Sequence, residues 1–478
     1  MEILVLFLLP LITSLLSLFV RGRLLLVVNL TSSFGLLVAA MQLVITVIES
    51  GPQSLLFGNW PFPIGIEFYV DGISALLVLL ISLVYAVVMV FMLYWQNVRK
   101  TASYFPLLQL LVTSAIAVSM AADLFNLYVW FELMLIAVMG LLILGNGLRY
   151  NEAAIKYFSV SMIGTLLMLA AIGLIHGAVG QLNFSALHEI TQDNETGEQI
   201  SLFSGLLLLA LLLKIGAFPL FAWLPAAYHT LPTPVLALVG GLLTKISVYV
   251  ILRISGQVLE LGAFYDALGW LAVVTMLSGV LGAAYHWDLR RILAFHIVSQ
   301  VGFLMLGVAL ASPEGTTGTA FFLYHNILVK TNLFLLAGMI YLAAGHYDLR
   351  QIGGLFSARP LLAFMFFISA ISLVGVPPSS GFWGKLLIIQ ETLEQQYYWW
   401  AAAALITGLL TLYSMSKIWL EGFWKPHPDP NKTVAGIPFA VNASVLLLTL
   451  LILYVGLYPN SVIAFLQVQQ SAFYGGQI

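Results

Sequence analysis

The sequence predicts an all-α polytopic membrane protein of about fourteen transmembrane helices, with two inverted five-helix repeats and breaks in spans seven and twelve. Three observations carry this. Hydrophobic residues make up 61% of the 478 positions and charged residues only 8%, unlike a soluble globular chain. Apolar runs of about 20 residues, long enough to cross a bilayer, recur throughout the chain. Basic residues collect in alternate connections between those runs, the pattern of the positive-inside rule. A net charge of −2 gives no basic footprint for nucleic acid. The absence of cysteine excludes disulfides, thiol catalysis and cysteine-ligated zinc or clusters.

The first two spans run over residues 3–20 and 24–48. No basic n-region and no clear small-residue cleavage site accompany the first, so it reads as a retained helix. SLLFGNWPFPIGIEFYVDG then reads as a hairpin at the membrane interface. Spans three to six cover 71–95, 104–121, 123–145 and 153–177, and the polar HEITQDNETGEQ reads as a loop before span seven at 201–221. Spans eight to fourteen follow at 234–255, 262–283, 290–310, 316–344, 360–391, 397–420 and 435–457, leaving a short C-terminal tail. The expected division is therefore 1–100 for the N-terminal helices, 104–255 and 262–420 for the two repeats, and 421–478 for the last helix and tail.

Thirteen of the eighteen basic residues fall at odd-numbered connections: Arg21, Arg23, Arg99, Lys100, Arg149, Lys156, Arg290, Arg291, Arg350, Arg359, Lys417, Lys425 and Lys432. Acids such as Glu189, Asp193, Glu195, Glu391 and Glu394 mark the even ones, where Arg253 is the exception. Both termini are then expected outside the cytoplasm.

Four lysines, Lys214, Lys245, Lys330 and Lys385, lie inside spans. Each costs roughly 2.5–3.5 kcal/mol at the centre of a bilayer helix unless it is paired, hydrated or neutral. Lys214 precedes Pro219, and Lys385 follows Pro377 and Pro378. Proline removes a donor and frees carbonyls that hydrocarbon cannot satisfy, so a break beside a buried amine points to a wet path. Interrupted helices in two inverted halves are a pointer to ion pathways; prolines that merely kink packed helices are the plainer reading.

Glu132 is the only carboxylate well inside the fifth span. Desolvation opposes its ionisation and a nearby ammonium favours it, so a Glu132–Lys214 neighbourhood would couple proton occupancy to charge movement; a static ion pair is the alternative. Lys245 extends the series, with Gly240 and Gly241 allowing close helix packing. His325 and Lys330 are five residues apart, not on one face of a regular helix, so an exchange between them needs a distortion or bridging water. His296 is an accessory candidate, His176 a weaker one, and Asp123 reads as a helix cap or a proton access group. No phosphate loop, nucleophile elbow, metal-ligand spacing or redox ligation is present in the sequence, so no cofactor or metal is expected.

Seven motifs carry a family resemblance: DGISALLVLLISLV, DLFNLYVWFELMLI, NEAAIKYFSVSMIGTLLML, KIGAFPLFAWLPAAYHTLPTPV, DLRRILAFHIVSQVGF, YHNILVKTNLFLLAG and GVPPSSGFWGKLLI. They resemble the antiporter-like subunits shared by the respiratory NADH dehydrogenase complex, membrane-bound hydrogenases and multisubunit Mrp sodium/proton antiporters. The FNLYVWFE and GGLLTKISVYVILR forms are most similar to the D-type branch of the Mrp subunits. The resemblance implies fourteen helices and a polar axis at mid-membrane, along which Glu132 matches the family glutamate and Lys214 its lysine partner. It likewise places Lys245, the His325 and Lys330 pair, and Lys385 as terminal group. Lys385, where one class of complex I subunits has glutamate, argues against that class. The chain's early end after span fourteen argues against the largest complex I subunit and the A-type Mrp subunit. The implied function is proton translocation within a cell-membrane Na+/H+ antiporter, with other membrane subunits as partners and no activity alone. A proton-pumping subunit of a redox complex, or a scaffold with a static polar axis, are the alternatives.

Overall fold

The computed structural model describes residues 2–60, 65–95, 102–145, 147–191, 194–257, 262, 264–429 and 435–474. Twelve helices among the described residues are long and apolar enough to cross a membrane, and two shorter apolar helices, Tyr104–Met120 and Pro360–Val374, lie at two further expected positions. The first six are α1 (Glu2–Phe19), α2 (Gly22–Ser50), α3 (Gly72–Met92), α4 (Tyr104–Met120), α5 (Leu124–Ile143) and α6 (Leu148–Val179). Between α2 and α3, β1 (Gln53–Leu56) pairs antiparallel with β2 (Glu67–Val70), Gln53 opposite Val70. That is the expected hairpin, although residues 61–64 lie outside the described residues.

The polar stretch before span seven is largely helix rather than loop. It contains the end of α7 (Phe184–Thr191) and the start of α8 (Asn194–Ile215); Asp193 lies outside the described residues. Asn183 Oδ1 accepts from Ser185 N at 3.0 Å at the start of α7, and the Glu and Gln residues that follow are good helix formers. Span seven resumes as a 3₁₀ turn (Leu220–Ala222) and α9 (Trp223–Tyr228). Next come α10 (Thr233–Gln257), α11 (Phe264–Tyr285), α12 (Leu289–Ala309) and α13 (Pro313–Ala344). A short α14 (Leu355–Ala358) precedes span twelve, which is divided into α15 (Pro360–Val374) and α16 (Ser380–Glu394). After α17 (Tyr398–Trp419) and α18 (Phe439–Leu457), the expected tail is instead a helix, α19 (Pro459–Tyr474). It docks through buried Leu466 and through Gln469, whose Oε1 accepts from Gly72 N at 3.1 Å.

Helix starts are fixed by short acceptors, because the first four N–H groups of a helix have no partner within it. Asp71 and Ser74 form a capping box on α3, and Asp123 and Asp288 each accept two backbone N–H bonds at the starts of α5 and α12. Ser312 caps α13 ahead of Pro313. Helix burial locates the core. Residues 233–254 of α10 are all buried, and the most apolar 18-residue stretches of α12 and α13 are 94% and 89% buried, whereas those of α1 and α18 are only 33% buried and form the rim. Lys245, His296, His325 and Lys330 all sit on those three central helices.

Connections gather by face. On one side, the 2–3, 4–5 and 6–7 connections are stitched by Ala122 N to Glu67 O (3.3 Å) and Leu124 N to Leu182 O (3.0 Å), with an antiparallel bridge between Asp123 and Asn183. Elsewhere, Leu289 N to Tyr347 O (2.9 Å) and Leu349 N to Trp287 O (3.1 Å) flank a bridge between Asp288 and Asp348. Both members of the second bridge fall 165 residues after their counterparts, 123 to 288 and 183 to 348. Arg253, the exception in the charge pattern, is buried against Asp71 at 3.0 Å instead of facing solvent. Arg99, Lys100 and Lys432 lie outside the described residues.

Candidate functional site

The two helix breaks share one local device. Gly216 (φ +73°) and Gly375 (φ +88°) adopt the left-handed conformation just past the ends of α8 and α15. Ala217 N then donates back to Leu212 O and Val376 N to Ile371 O, both at 3.1 Å, the six-residue closure of a Schellman motif. Two residues later in each case comes proline, Pro219 or Pro378, each preceded by a cis peptide bond. Phe218 N, freed by the first break, donates to Thr275 Oγ1 on α11 at 3.1 Å. The prolines are legible in the sequence as breaks; the part played by the glycines three residues ahead of them is not.

Lys214 stands in the last turn of α8, where a cation complements the negative end of the helix. Its Nζ donates to Thr165 Oγ1 on α6 at 2.9 Å and lies 5.0 Å from the centre of the Phe131 ring on α5. Glu132, the next residue after Phe131, is near enough to act electrostatically on Lys214, but no ion pair within 4.0 Å joins them. Its buried Oε2 has no protein partner. Beside Lys214 is a cavity of about 20 Å³, room for about one water, reaching Ser161 of α6 and Leu243 and Ser247 of α10. The cavity therefore points from Lys214 toward the helix that carries Lys245.

Lys245 is fully buried and donates to Gly240 O of its own helix at 2.8 Å. Lys330 is equally buried, and its Nζ has no protein hydrogen-bond partner. Around α10, α12 and α13 the same condition recurs at Thr244 Oγ1, Ser299 Oγ, both amide ends of Gln300, Asn326 Oδ1 and Thr331 Oγ1. Buried groups of this kind require water when protein supplies no partner. Gly241 lets α10 approach Thr331 of α13, which brings the lysine-bearing helices together.

His325 and Lys330 do not meet. α13 runs unbroken through both, so the five-residue spacing turns them apart, and His325 is directed at α16. Its Nδ1 shares a 2.8 Å hydrogen bond with Ser380 Oγ, which shares another of 2.8 Å with Ser372 Oγ at the end of α15. Gly381 has no side chain to keep the imidazole and Ser372 O apart from α16. Lys385 Nζ donates to Leu373 O (3.0 Å) and Val374 O (2.8 Å), the carbonyls released by the break, and lies 4.8 Å from the Phe303 ring centre. Each break thus has one lysine beside it lying over an aromatic ring, but only Lys385 bonds the carbonyls of a helix C-terminus.

His296 is buried and bonded to Ser414 Oγ of α17 at 2.9 Å, to one side of the lysine series. Asp123 is a cap: its Oδ1 accepts from Phe125 N and Asn126 N, both at 2.8 Å. Thr165, Gln300, Asn326, Ser372 and Ser380 are invisible as site residues in the sequence, because isolated small polar residues in apolar runs carry no mark of their neighbours. The serine following Pro377-Pro378-Ser379 is the one available signal, since a broken helix must restart there. No group of three or more His, Asp or Glu among the described residues could hold a metal ion.

Residues 121–411 match the family described as NADH:quinone oxidoreductase/Mrp antiporter, TM. The D-type subunit of the Na(+)/H(+) antiporter of Alkalihalophilus pseudofirmus is 36% identical over 393 residues, 82% of this chain and 80% of that one. A chain of the Mrp complex from Dietzia sp. DQ12-45-1b superposes with a TM-score of 0.90 at 31% identity, over 99% of this chain and 97% of the other. A chain of the membrane-bound sulfane sulfur reductase, an archaeal respiratory membrane complex, superposes with a TM-score of 0.92 at 25% identity, over 100% and 99%.

Proposed function

Since the chain belongs to the NADH:quinone oxidoreductase/Mrp antiporter membrane family, we propose that it is the proton-translocating subunit of a multisubunit Na+/H+ antiporter, working with other membrane subunits. One observation carries the reading: a series of amines, Lys214, Lys245, Lys330 and Lys385, lines the enclosed centre between two broken helices, among polar atoms that need water. Such a row cannot be charged throughout, because neighbouring ammonium groups in a low-dielectric interior oppose one another. A proton bound at Glu132 cancels the carboxylate that attracts Lys214. The Lys214 ammonium then favours giving its proton through water toward Lys245, and the charge moves on past Lys330 and His325 to Lys385. At Lys385 the two carbonyls of α15 stabilise the ammonium, so the far end of the path is a holding position.

The halves 104–255 and 262–420 form the inverted repeats in this reading, supported by the matching glycine–proline breaks and by the two bridges 165 residues apart. Both termini face outward, supported by the alternation of basic connections. Identity to a D-type antiporter subunit over most of both chains favours antiport over a redox-driven pump. Co-purifying iron–sulfur proteins would favour the pump. In everted vesicles carrying the assembled complex, Glu132→Ala and Lys214→Ala should each abolish exchange; exchange retained in both overturns the assignment. A wild-type rate in Lys385→Ala would confine the path to the first half.

A further inference from the structure

Four connections that are far apart in sequence meet around an open basin of about 630 Å³. Arg149 comes from the start of α6, His229 from the end of α9, Arg290 and Arg291 from the start of α12, and Arg350 from the turn after α13. Two aspartates also line it, but both are already engaged. Asp288 Oδ1 accepts from Arg290 N and Arg291 N as the cap of α12, and its Oδ2 is 3.5 Å from Arg290 Nη2. Asp348 binds Arg350 through Nε at 3.0 Å and Nη2 at 2.7 Å, and that contact holds its carboxyl below the usual value.

The guanidinium groups of Arg149 and Arg291 remain, with no carboxylate within 4.0 Å among the described residues. Arg149 donates to Tyr150 OH at 2.7 Å. Arg291 Nη2 lies 3.2 Å from His229 Nε2. His229 Nδ1 is 2.9 Å from Pro225 O, which can only accept, so Nδ1 carries the proton and Nε2 accepts from the arginine. Burial first, then the charges of Arg291 and Arg290, lower the His229 pKa; burial and Arg291 likewise lower that of His286. Four arginines therefore face two aspartates and two neutral imidazoles, leaving two positive charges in surplus.

The rim adds a second, independent feature. Trp270, Val274, Leu281 and Tyr285 are exposed by 54%, 40%, 57% and 79%, and their spacing of four, seven and four residues places them on one face of α11. That apolar stripe ends at the basin, with Tyr285 at its mouth. A soluble phosphate has no use for it, whereas a phospholipid needs both parts.

We propose that the basin seats the phosphate of an anionic phospholipid, with Arg149 and Arg291 as its ligands and the acyl chains lying along α11. The lipid would link a connection of the first half to three others and neutralise the surplus charge. This site is separate from the proton path and does not rest on it.

The test uses the intact purified complex in nanodiscs of mixed phosphatidylglycerol and phosphatidylcholine, with retained lipid counted by native mass spectrometry. Wild type should retain phosphatidylglycerol in preference to phosphatidylcholine. Arg149→Gln and Arg291→Gln should each weaken that retention about five-fold, and the double variant about thirty-fold, at about one surface arginine's worth of attraction apiece. No preference for the anionic lipid in wild type overturns the proposal without recourse to any variant. Unchanged retention in a double variant that still assembles also overturns it. Displacement of the lipid by millimolar inorganic phosphate, with no dependence on Trp270→Ala or Leu281→Ala, would show a soluble-phosphate site and reject the lipid.

Discussion

Lys385 repairs a broken helix, and in the proposed path the same side chain is the terminal proton holder. The break leaves the Leu373 and Val374 carbonyls without partners, and the ammonium supplies both bonds. Asp123 repairs a helix start, but at an electrostatic cost. Burial raises its pKa above the usual carboxylate value, against the opposing effect of its bonds from Asn126 and Phe125. A carboxyl with a raised folded pKa favours folding in its protonated form. Its contribution is complete below the unfolded value and is lost as pH rises through the folded value. Asparagine caps as well as aspartate and carries no charge. Asp123→Asn should therefore gain thermal stability relative to wild type as pH is raised from about 4, while Asp123→Ala should lose about 1 kcal/mol at pH 7. A pH-independent difference between Asp123→Asn and wild type in unfolding midpoint would count against desolvation as the governing cause.

At the level of single elements, the breaks in spans seven and twelve are built by glycine before proline. Gly216 and Gly375 adopt positive φ, where an added Cβ costs about 1–2 kcal/mol. Gly375→Ala should lower stability by about that amount and slow exchange, because the Leu373 and Val374 carbonyls would no longer be presented to Lys385. Gly436→Ala, in a connection with open surroundings and no positive φ, is the matched control. Equal exchange rates in the two variants would separate the break's geometry from transport.

The whole molecule is held by contacts between distant spans. Arg253 at the end of α10 reaches Asp71 at the start of α3, and Tyr249 OH also lies 2.8 Å from its guanidinium. Removing one member of such a buried pair leaves an uncompensated charge, so Arg253→Met or Asp71→Ala should destabilise by about 3–5 kcal/mol. The double variant should recover part of that loss in the same unfolding measurement. Topology is open to direct test because the chain contains no cysteine. Leu148 and Trp399 are 88% and 77% exposed, in connections expected on opposite sides. Leu148→Cys should react with an impermeant thiol reagent only from the cytoplasm, and Trp399→Cys only from outside; the reverse pattern would invert the proposed orientation.

Membrane class, nearly all span positions and the six charged or histidine positions of the candidate path are legible in the linear chain. Those properties are local: an apolar run of sufficient length must be helical in lipid, and a lysine within it is conspicuous at once. Both breaks are legible too, through Pro219, Pro377 and Pro378. Partnership emerges only on folding. Lys214 meets Thr165 and Phe131 rather than closing on Glu132, and His325 turns to Ser380 rather than to Lys330. A side chain's partner depends on how helices rotate and cross, which is set by packing among many spans and leaves no mark in the spacing of one. For the same reason the basin of arginines has no linear signature, since its four connections are neighbours only in the folded chain.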